Sequence, residues 1–238
     1  MNVAREAPLA ARFLRRYKRF LADVEIGAGR VLTVHCPNPG SMLGFHRPGA
    51  AVRCSESDDP RRKLRHTLEM MRIGRTWVGL HTLRANAVVE AALRCGAPRA
   101  LSGYARLDRE VRVDAGPRAT RLDFRLSGRA RDARPAYVEV KSATLADGRR
   151  ALFPDSVTER GRRHLEALCE LHARGARAAL IFLVQRGDCD CVAPADHIDP
   201  AYGEALRRAA RVGVELFALG ARLTPRAIHV ERELPVLL

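Results

Sequence analysis

Three residues carry chemistry that the rest of the chain must position. Asp123 lies in Arg121-Leu-Asp-Phe124, and Glu139 and Lys141 lie in Glu139-Val-Lys141. Residues two apart on a strand share a face, so Glu139 and Lys141 point the same way. If 121–126 and 136–141 form an antiparallel hairpin about a turn near 128–135, Asp123 lies opposite that pair, with Cβ separations of about 4.5–5.5 Å. The placement depends on register, because a slip of one residue reverses the face. Two carboxylates so placed can share an octahedral Mg2+, with Mn2+ as the alternative ion, whose other positions hold water and phosphate oxygens. Such an ion polarises a phosphate and acidifies a bound water. The Lys141 ammonium can orient that water or stabilise charge developing at phosphorus. The backbone carbonyl of Val140 is a further metal ligand in this reading. The same three charges also describe an ordinary cross-strand salt bridge, and their spacing alone does not separate the two.

The elements around these residues follow from pattern. Asp23 to Ile26, Val31 to Cys36, Ala50 to Cys54, Leu64 to Met71 and Arg75 to Leu80 read as short strands, separated by turn signals such as Pro37-Asn-Pro-Gly40 and Asp58-Asp-Pro60. About five short strands in so little chain suggest a small β-barrel of the OB type. From Ala85 the character changes. A helix to Cys95 precedes strands at Arg109–Val113, Arg121–Leu126 and Ala136–Lys141. A long helix follows, with Ser156-Val-Thr-Glu159 as a capping box and Gly175 at its end. Leu165, Leu168, Cys169 and His172 mark its inward face. Ala178 to Val184 is a continuous apolar run, as expected of a strand buried on both faces. A helix from Pro200 to Arg211, a strand from Val214 to Leu219 and an edge strand from Arg226 to Glu233 close the chain. The expected fold is α+β, with an OB-like barrel over 1–82 and an α/β domain, a mixed sheet flanked by helices, over 83–238.

Charge points to a partner. The chain has 42 Lys and Arg against 27 Asp and Glu, a formal net charge of +15. Such a surplus attracts polyanions, and nucleic acid, DNA foremost, is the expected partner. An Arg-favouring composition is the competing explanation, since only Lys18, Lys63 and Lys141 are lysines. Where Arg serves every general purpose, a retained Lys141 suggests a need for a compact ammonium. None of the six cysteines forms a C-x-x-C pair, no apolar leader segment is evident, and no stretch approaches the ~20 apolar residues of a membrane span. A cytoplasmic protein without membrane contact is expected.

Asp…Glu-x-Lys on a hairpin within the order α-β-β-β-α-β resembles the PD-(D/E)XK nuclease superfamily. There the first helix often supplies another acid, and Glu90 in Ala87-Val-Val-Glu-Ala-Ala-Leu93 stands in that place, unless it is simply a solvated helix residue. A second resemblance spans nearly the whole chain. Arg12-Phe-Leu-Arg-Arg-Tyr-Lys-Arg-Phe-Leu-Ala-Asp-Val24, His35-Cys-Pro-Asn-Pro-Gly-Ser-Met42, Phe153-Pro-Asp-Ser-Val-Thr-Glu-Arg-Gly161, His164-Leu165 and Val184-Gln-Arg186 look like the SfsA family, the sugar fermentation stimulation proteins. The resemblance implies an OB-like domain joined to a PD-(D/E)XK-like domain, DNA binding, and a link to regulation of sugar utilisation. Pro39 departs from the family's usual Thr, and His81-Thr-Leu-Arg-Ala-Asn86 from its usual Asn-Thr…Pro-Asn stretch.

Further residues are expected to meet nucleic acid. Arg12, Arg15, Arg16 and Lys18 interleave with aromatics that include Tyr17, a pattern in which bases stack while cations track the backbone. The alternative is an amphipathic strand with its aromatics in the barrel core. Arg160 and His164 share a helix face near an N-terminus suited to phosphate. Gln185 and Arg186 close the apolar strand, where open α/β sheets often present their sites. Asp155 either caps the long helix or adds a metal ligand. Two functions are consistent with these features: a Mg2+-dependent nuclease, and a DNA-binding regulator of sugar-utilisation genes that does not cut.

Overall fold

Alternation of apolar and charged residues in the first third of the chain folds as a closed barrel. The computed structural model describes residues 2–4, 9–115 and 119–238. A short strand β1 (Asn2–Ala4) comes first, followed by β2 (Leu9–Tyr17), β3 (Leu21–Ile26), β4 (Arg30–His35), β5 (Ala51–Glu56), β6 (His66–Ile73) and β7 (Thr76–Gly79). Strands β2 to β7 pair in the order β4-β3-β2-β5-β6-β7, and a β4–β6 pairing at His35 and Thr67 closes five of them into an OB barrel. Phe13, Val24, Val34, Val52, Leu68 and Met71 fill its interior. A register shift between Phe13 and Arg15 lets β2 bend around the barrel.

The remaining chain builds a seven-stranded mixed sheet with helices on both faces. Its elements are α1 (Arg84–Arg94), β8 (Arg106–Val113), β9 (Thr120–Ser127), β10 (Ala136–Ala143), β11 (Leu145–Asp147), β12 (Arg150–Phe153), α2 (Glu159–Ala173), β13 (Arg177–Val184), β14 (Cys191–Pro194), α3 (Pro200–Val212), β15 (Glu215–Thr224) and β16 (Ala227–Leu234). The order is β1-β16-β15-β13-β10-β9-β8, with β10, β13 and β15 mutually parallel. Helix α1 packs Val88, Val89 and Ala92 on one face. Helices α2 and α3 pack Leu165, Leu168, Tyr202 and Leu206 on the other. Every residue of β13 is buried, the structural counterpart of its unbroken apolar run. A small sheet, β11-β12-β14, lies beside the main one.

The two halves are joined at defined points. Val78 of β7 bridges Arg186, and the Gly79 amide donates to the Gln185 carbonyl at 2.9 Å. The Asp155 carboxylate accepts from the Met42 amide at 3.0 Å, and Thr82 Oγ1 donates to the Pro37 carbonyl at 2.9 Å. A Cβ at Gly40 would stand 2.4 Å from the Asp155 carboxylate oxygens, so a larger residue there would have to displace that carboxylate.

Several expectations need correction. The stretch 156–159 is not the capping box: Thr158 is the N-cap, its Oγ1 accepting from the Gly161 amide at 3.0 Å, and Asp155 reaches across to the barrel instead of capping. The inward face of α2 is His164, Leu165, Leu168 and Leu171, whereas Cys169 and His172 are only partly or not at all part of that buried set. Strand β16 is not the edge, because β1 pairs along its outer side. The N-terminal strand thereby crosses from the barrel side of the sequence into the second sheet. All six cysteines are free thiols. No helix among the described residues is long and apolar enough to cross a membrane.

Candidate functional site

Strands β9 and β10 are the hairpin expected about residues 128–135, and they pair from Ala136–Leu126 to Val138–Phe124. The ladder stops there. Asp123 and Glu139 are next in line, at the mouth of the opening. On the other side of β9, Glu110 lies between the pairs Arg109–Phe124 and Val111–Leu122 with φ at 51°, a left-handed conformation uncommon for a residue with a side chain. The local twist coincides with the turning of Asp123 into the gap.

Within the gap, Asp123 Oδ2 accepts the Val140 amide at 2.7 Å and Oδ1 accepts the Asn86 side-chain amide of α1 at 2.6 Å. The N–H and C=O of one strand residue point to the same neighbour. The Val140 carbonyl therefore faces the opening that its N–H faces. Glu139 is 3% exposed and projects to the α2 side. Its Oε1 accepts from Lys141 Nζ at 2.7 Å and is bonded to His164 Nδ1. Arg160, one turn earlier on α2, donates through Nε to His164 Nε2 at 3.3 Å. With Nε2 accepting, the proton of a neutral imidazole sits on Nδ1 and is donated to Glu139. Burial holds the His164 pKa below its ordinary value, in keeping with the neutral ring.

The two carboxylates are driven apart electrostatically. Burial, followed by the negative charge of Glu139, pushes the Asp123 carboxyl up to about 7. Burial acts on Glu139 in the same direction, but Lys141 and His164 outweigh it and hold the carboxyl below its ordinary value. Glu139 Oε2 is buried with no hydrogen-bond partner. A buried, unpaired carboxylate oxygen is costly. A cation between Asp123 and Glu139 would satisfy it and relieve their repulsion, so these residues fit a divalent ion. Among the described residues no group of three or more His, Cys, Asp or Glu side chains could hold a metal. A pair of carboxylates with water completing the shell is the usual arrangement for Mg2+ rather than for an all-protein cage.

Sequence and structure comparisons identify the family of the chain. Residues 83–227 match the sugar fermentation stimulation protein RE domain, and residues 14–80 match the SfsA N-terminal OB domain. The chain belongs to the sugar fermentation stimulation protein family. A homologue from Halorhodospira halophila is 52% identical over 228 residues, covering 95% of this chain and 94% of that one. Another from Pseudomonas putida strain W619 is 50% identical over 230 residues, covering 95% of each. Among solved structures, SfsA of Pyrococcus furiosus in complex with Ca2+ superposes with a TM-score of 0.88 at 28% identity, covering 99% of this chain and 98% of that one.

In this member of the sugar fermentation stimulation family, the other expected site residues fall into three groups. Lys141 and Val140 line a cleft of about 380 Å3 between barrel and sheet, together with Asn86, which was not among the expected residues, and with Arg19 and Pro39 on its barrel wall. Arg160 lines that cleft and also a second, basic one of about 540 Å3, where it joins Arg112, Arg121, Arg163 and His164. Glu110 lines the second cleft as well, 3.8 Å from Arg121. Arg12, Arg15 and Lys18 are exposed on the barrel; Arg15 is paired with Asp23 at 2.8 Å and stacks over Tyr17 at 5.0 Å. The Tyr17 hydroxyl also donates to Asp23.

The third group is occupied elsewhere. Glu90 pairs with Arg94 at 2.8 Å and Arg109 at 3.5 Å, and it is Asn86, one turn earlier on α1, that touches Asp123. The guanidinium of Arg16 donates to the carbonyls of Arg19, Asn38, Gly40 and Ser41, so it ties a loop instead of facing solvent. Arg186 is 9% exposed and spends its donors on Asp188 and the Thr144 carbonyl. Gln185 is fully buried and donates to Ser142 Oγ at 2.8 Å. Both sit where the barrel docks, which covers them. Asn86 went unnoticed in the sequence because a helix asparagine carries no signal without a partner. His164 was noticed for phosphate, and its contact with Glu139 depends on a packing of α2 against β10 that spacing does not reveal.

Proposed function

We propose that this chain is a divalent-cation-dependent nuclease of the PD-(D/E)XK type, acting on phosphodiester bonds of nucleic acid, DNA foremost, with Mg2+ or Mn2+ as the ion. The observation that carries the reading is that Glu139 Oε2 is buried and unpartnered where the β9–β10 ladder has ended, with the Asp123 carboxylate held on the amide of the next residue, Val140. Asp123, Glu139 and the Val140 carbonyl are the residues that would hold the ion. When bound, the ion polarises the scissile phosphate and lowers the pKa of the attacking water. Lys141 places a cation beside the same carboxylates, where it can stabilise charge on the reacting phosphate. His164 holds Glu139 in position, and Arg160 holds His164. Support comes also from the net charge of +15 and from the family relative solved with Ca2+, another oxygen-seeking divalent ion. A cytoplasmic location belongs to the same reading.

A second reading is a DNA-binding regulator on this scaffold that does not cut. It is favoured by one observation: Lys141 and His164 already engage Glu139 Oε1, so the site is partly neutralised by its own side chains. Fold alone does not choose between them. The test is incubation of single- and double-stranded DNA and RNA with Mg2+ or Mn2+, beside Asp123→Ala and Lys141→Ala. Cleavage that disappears in both variants supports the nuclease. Tight binding with no cleavage under any of these conditions supports the regulator and sinks the enzyme.

A further inference from the structure

We infer that the cleft between barrel and sheet receives unpaired nucleotides, so that the substrate is a single strand or a frayed end and not an intact duplex. The inference names the substrate of the site proposed above and rests on that reading.

Size is the first argument. The cleft holds about 380 Å3, near the lower end of the ~300–1,000 Å3 that accommodate one small ligand. That volume matches one nucleotide better than a length of base-paired helix. The barrel forms one wall and is fixed there by the Met42–Asp155 and Gly79–Gln185 contacts, so the cleft is narrow by construction.

Lining chemistry is the second. Lys141 and Arg160 offer cations to phosphate, while Leu145, Leu152, Phe153 and Pro154 present an apolar wall suited to a base. One exposed apolar side chain lines the cleft and two more adjoin its lining residues in sequence. Val157, 68% exposed, lines the cleft itself; Phe20 and Leu83, 43% and 72% exposed, directly follow the lining residues Arg19 and Thr82. The Arg19 guanidinium lies 5.5 Å from the Phe20 ring centroid. Exposed aromatics beside cations are the usual platform for bases taken out of a stack.

Continuity is the third. Arg160 belongs both to this cleft and to the basic one with Arg112, Arg121 and Arg163. A single strand laid through the Arg cluster would lead by way of Arg160 into the cleft that Val140 and Lys141 line.

The experiment measures binding of fluorescein-labelled oligothymidylate and of a duplex of equal length by anisotropy, in EDTA, to the full chain and to Phe20→Ala and Val157→Ser. Both side chains are exposed, and thermal unfolding checks that the variants fold. The expected result is single-strand binding at least tenfold tighter than duplex binding. Phe20→Ala should weaken the single strand by roughly 5- to 150-fold, the range of one lost base–aromatic stack, Val157→Ser should weaken it by a smaller factor, and both should leave the duplex unchanged. Duplex binding that equals or exceeds single-strand binding overturns the inference, as do variants that bind the single strand like the parent. Adding Mg2+ separates the two claims. Cleavage of duplex with the single strand spared overturns the inference and keeps the nuclease. Single-strand binding lost in the variants, with no cleavage of any substrate, keeps the inference and overturns the nuclease.

Discussion

The carboxylate of Asp123 caps the backbone amide of Val140 at 2.7 Å, two residues beyond Val138, where β10 stops pairing with β9. A side chain has taken the place of a ladder hydrogen bond. The substitution keeps the strands open and leaves two acids and a carbonyl around one gap. Predictions about the site follow from that opening.

The Asp123 carboxyl, pushed up to about 7, binds its proton more tightly in the folded chain than in the unfolded one. Between about pH 4 and pH 7 the folded state therefore holds more protons, and the stability contributed by Asp123 falls as pH rises through that window. In EDTA the Tm of the parent should fall relative to Asp123→Asn between pH 5 and pH 8. Parallel Tm curves would show that Asp123 has an ordinary pKa.

A cation needs the ionised carboxylate. The rise in Tm on adding Mn2+ should thus be larger at pH 8 than at pH 5.5, and absent in Asp123→Asn. Differential scanning fluorimetry at fixed ion concentration measures it. An equal rise in the variant would place the ion elsewhere.

Lys141 and Glu139 form a buried pair, with side chains 11% and 4% exposed. Removing one partner of such a pair typically costs about 3–5 kcal/mol, because the other charge is left uncompensated. Lys141→Met should destabilise the chain by an amount of that order in urea titrations without metal. Added Mn2+ should recover part of the loss, since it supplies the missing positive charge. A variant as stable as the parent would mean that Glu139 takes up a proton at little cost.

Arg16 tests the distinction between a basic residue that binds and one that builds. Its guanidinium meets four backbone carbonyls, three of them in the loop 38–41 that walls the cleft. Arg16→Ala should lower stability by roughly 1–3 kcal/mol, the cost of leaving such acceptors unsatisfied, and should speed proteolysis near residues 38–43. Unchanged stability with lost nucleic-acid binding would return Arg16 to the ligand-contacting set.

How much of this was legible in the sequence depends on the range of the interaction. Glu139 and Lys141 share a face by strand period alone, and β13 declared itself through an unbroken apolar run. Asp123 required a register that the sequence left open, and the pairing of Phe124 with Val138 supplies it. Asn86 and His164 reach the site from helices packed on opposite faces of the sheet, and their roles depend on tertiary packing that local patterns do not encode. Arg16 and Arg186 show the converse: an Arg in a basic stretch reads as surface charge until its carbonyl partners, distant in sequence, are known. The N-cap at Thr158 was missed for a local reason, since Ser156 and Glu159 fit the spacing of a capping box while Asp155 and its neighbours are drawn toward the barrel. Strand β1 was hidden because three residues hold no period, and its pairing with β16 joins the two ends of the chain.

The most direct measurement is a Mn2+ titration followed by electron paramagnetic resonance at pH 8, comparing the parent chain with Asp123→Asn and Glu139→Gln. The account predicts a bound ion in the parent that is lost or greatly weakened in both variants. A parent that binds no Mn2+, or variants that bind it as the parent does, would contradict the assignment of Asp123 and Glu139 as a metal centre.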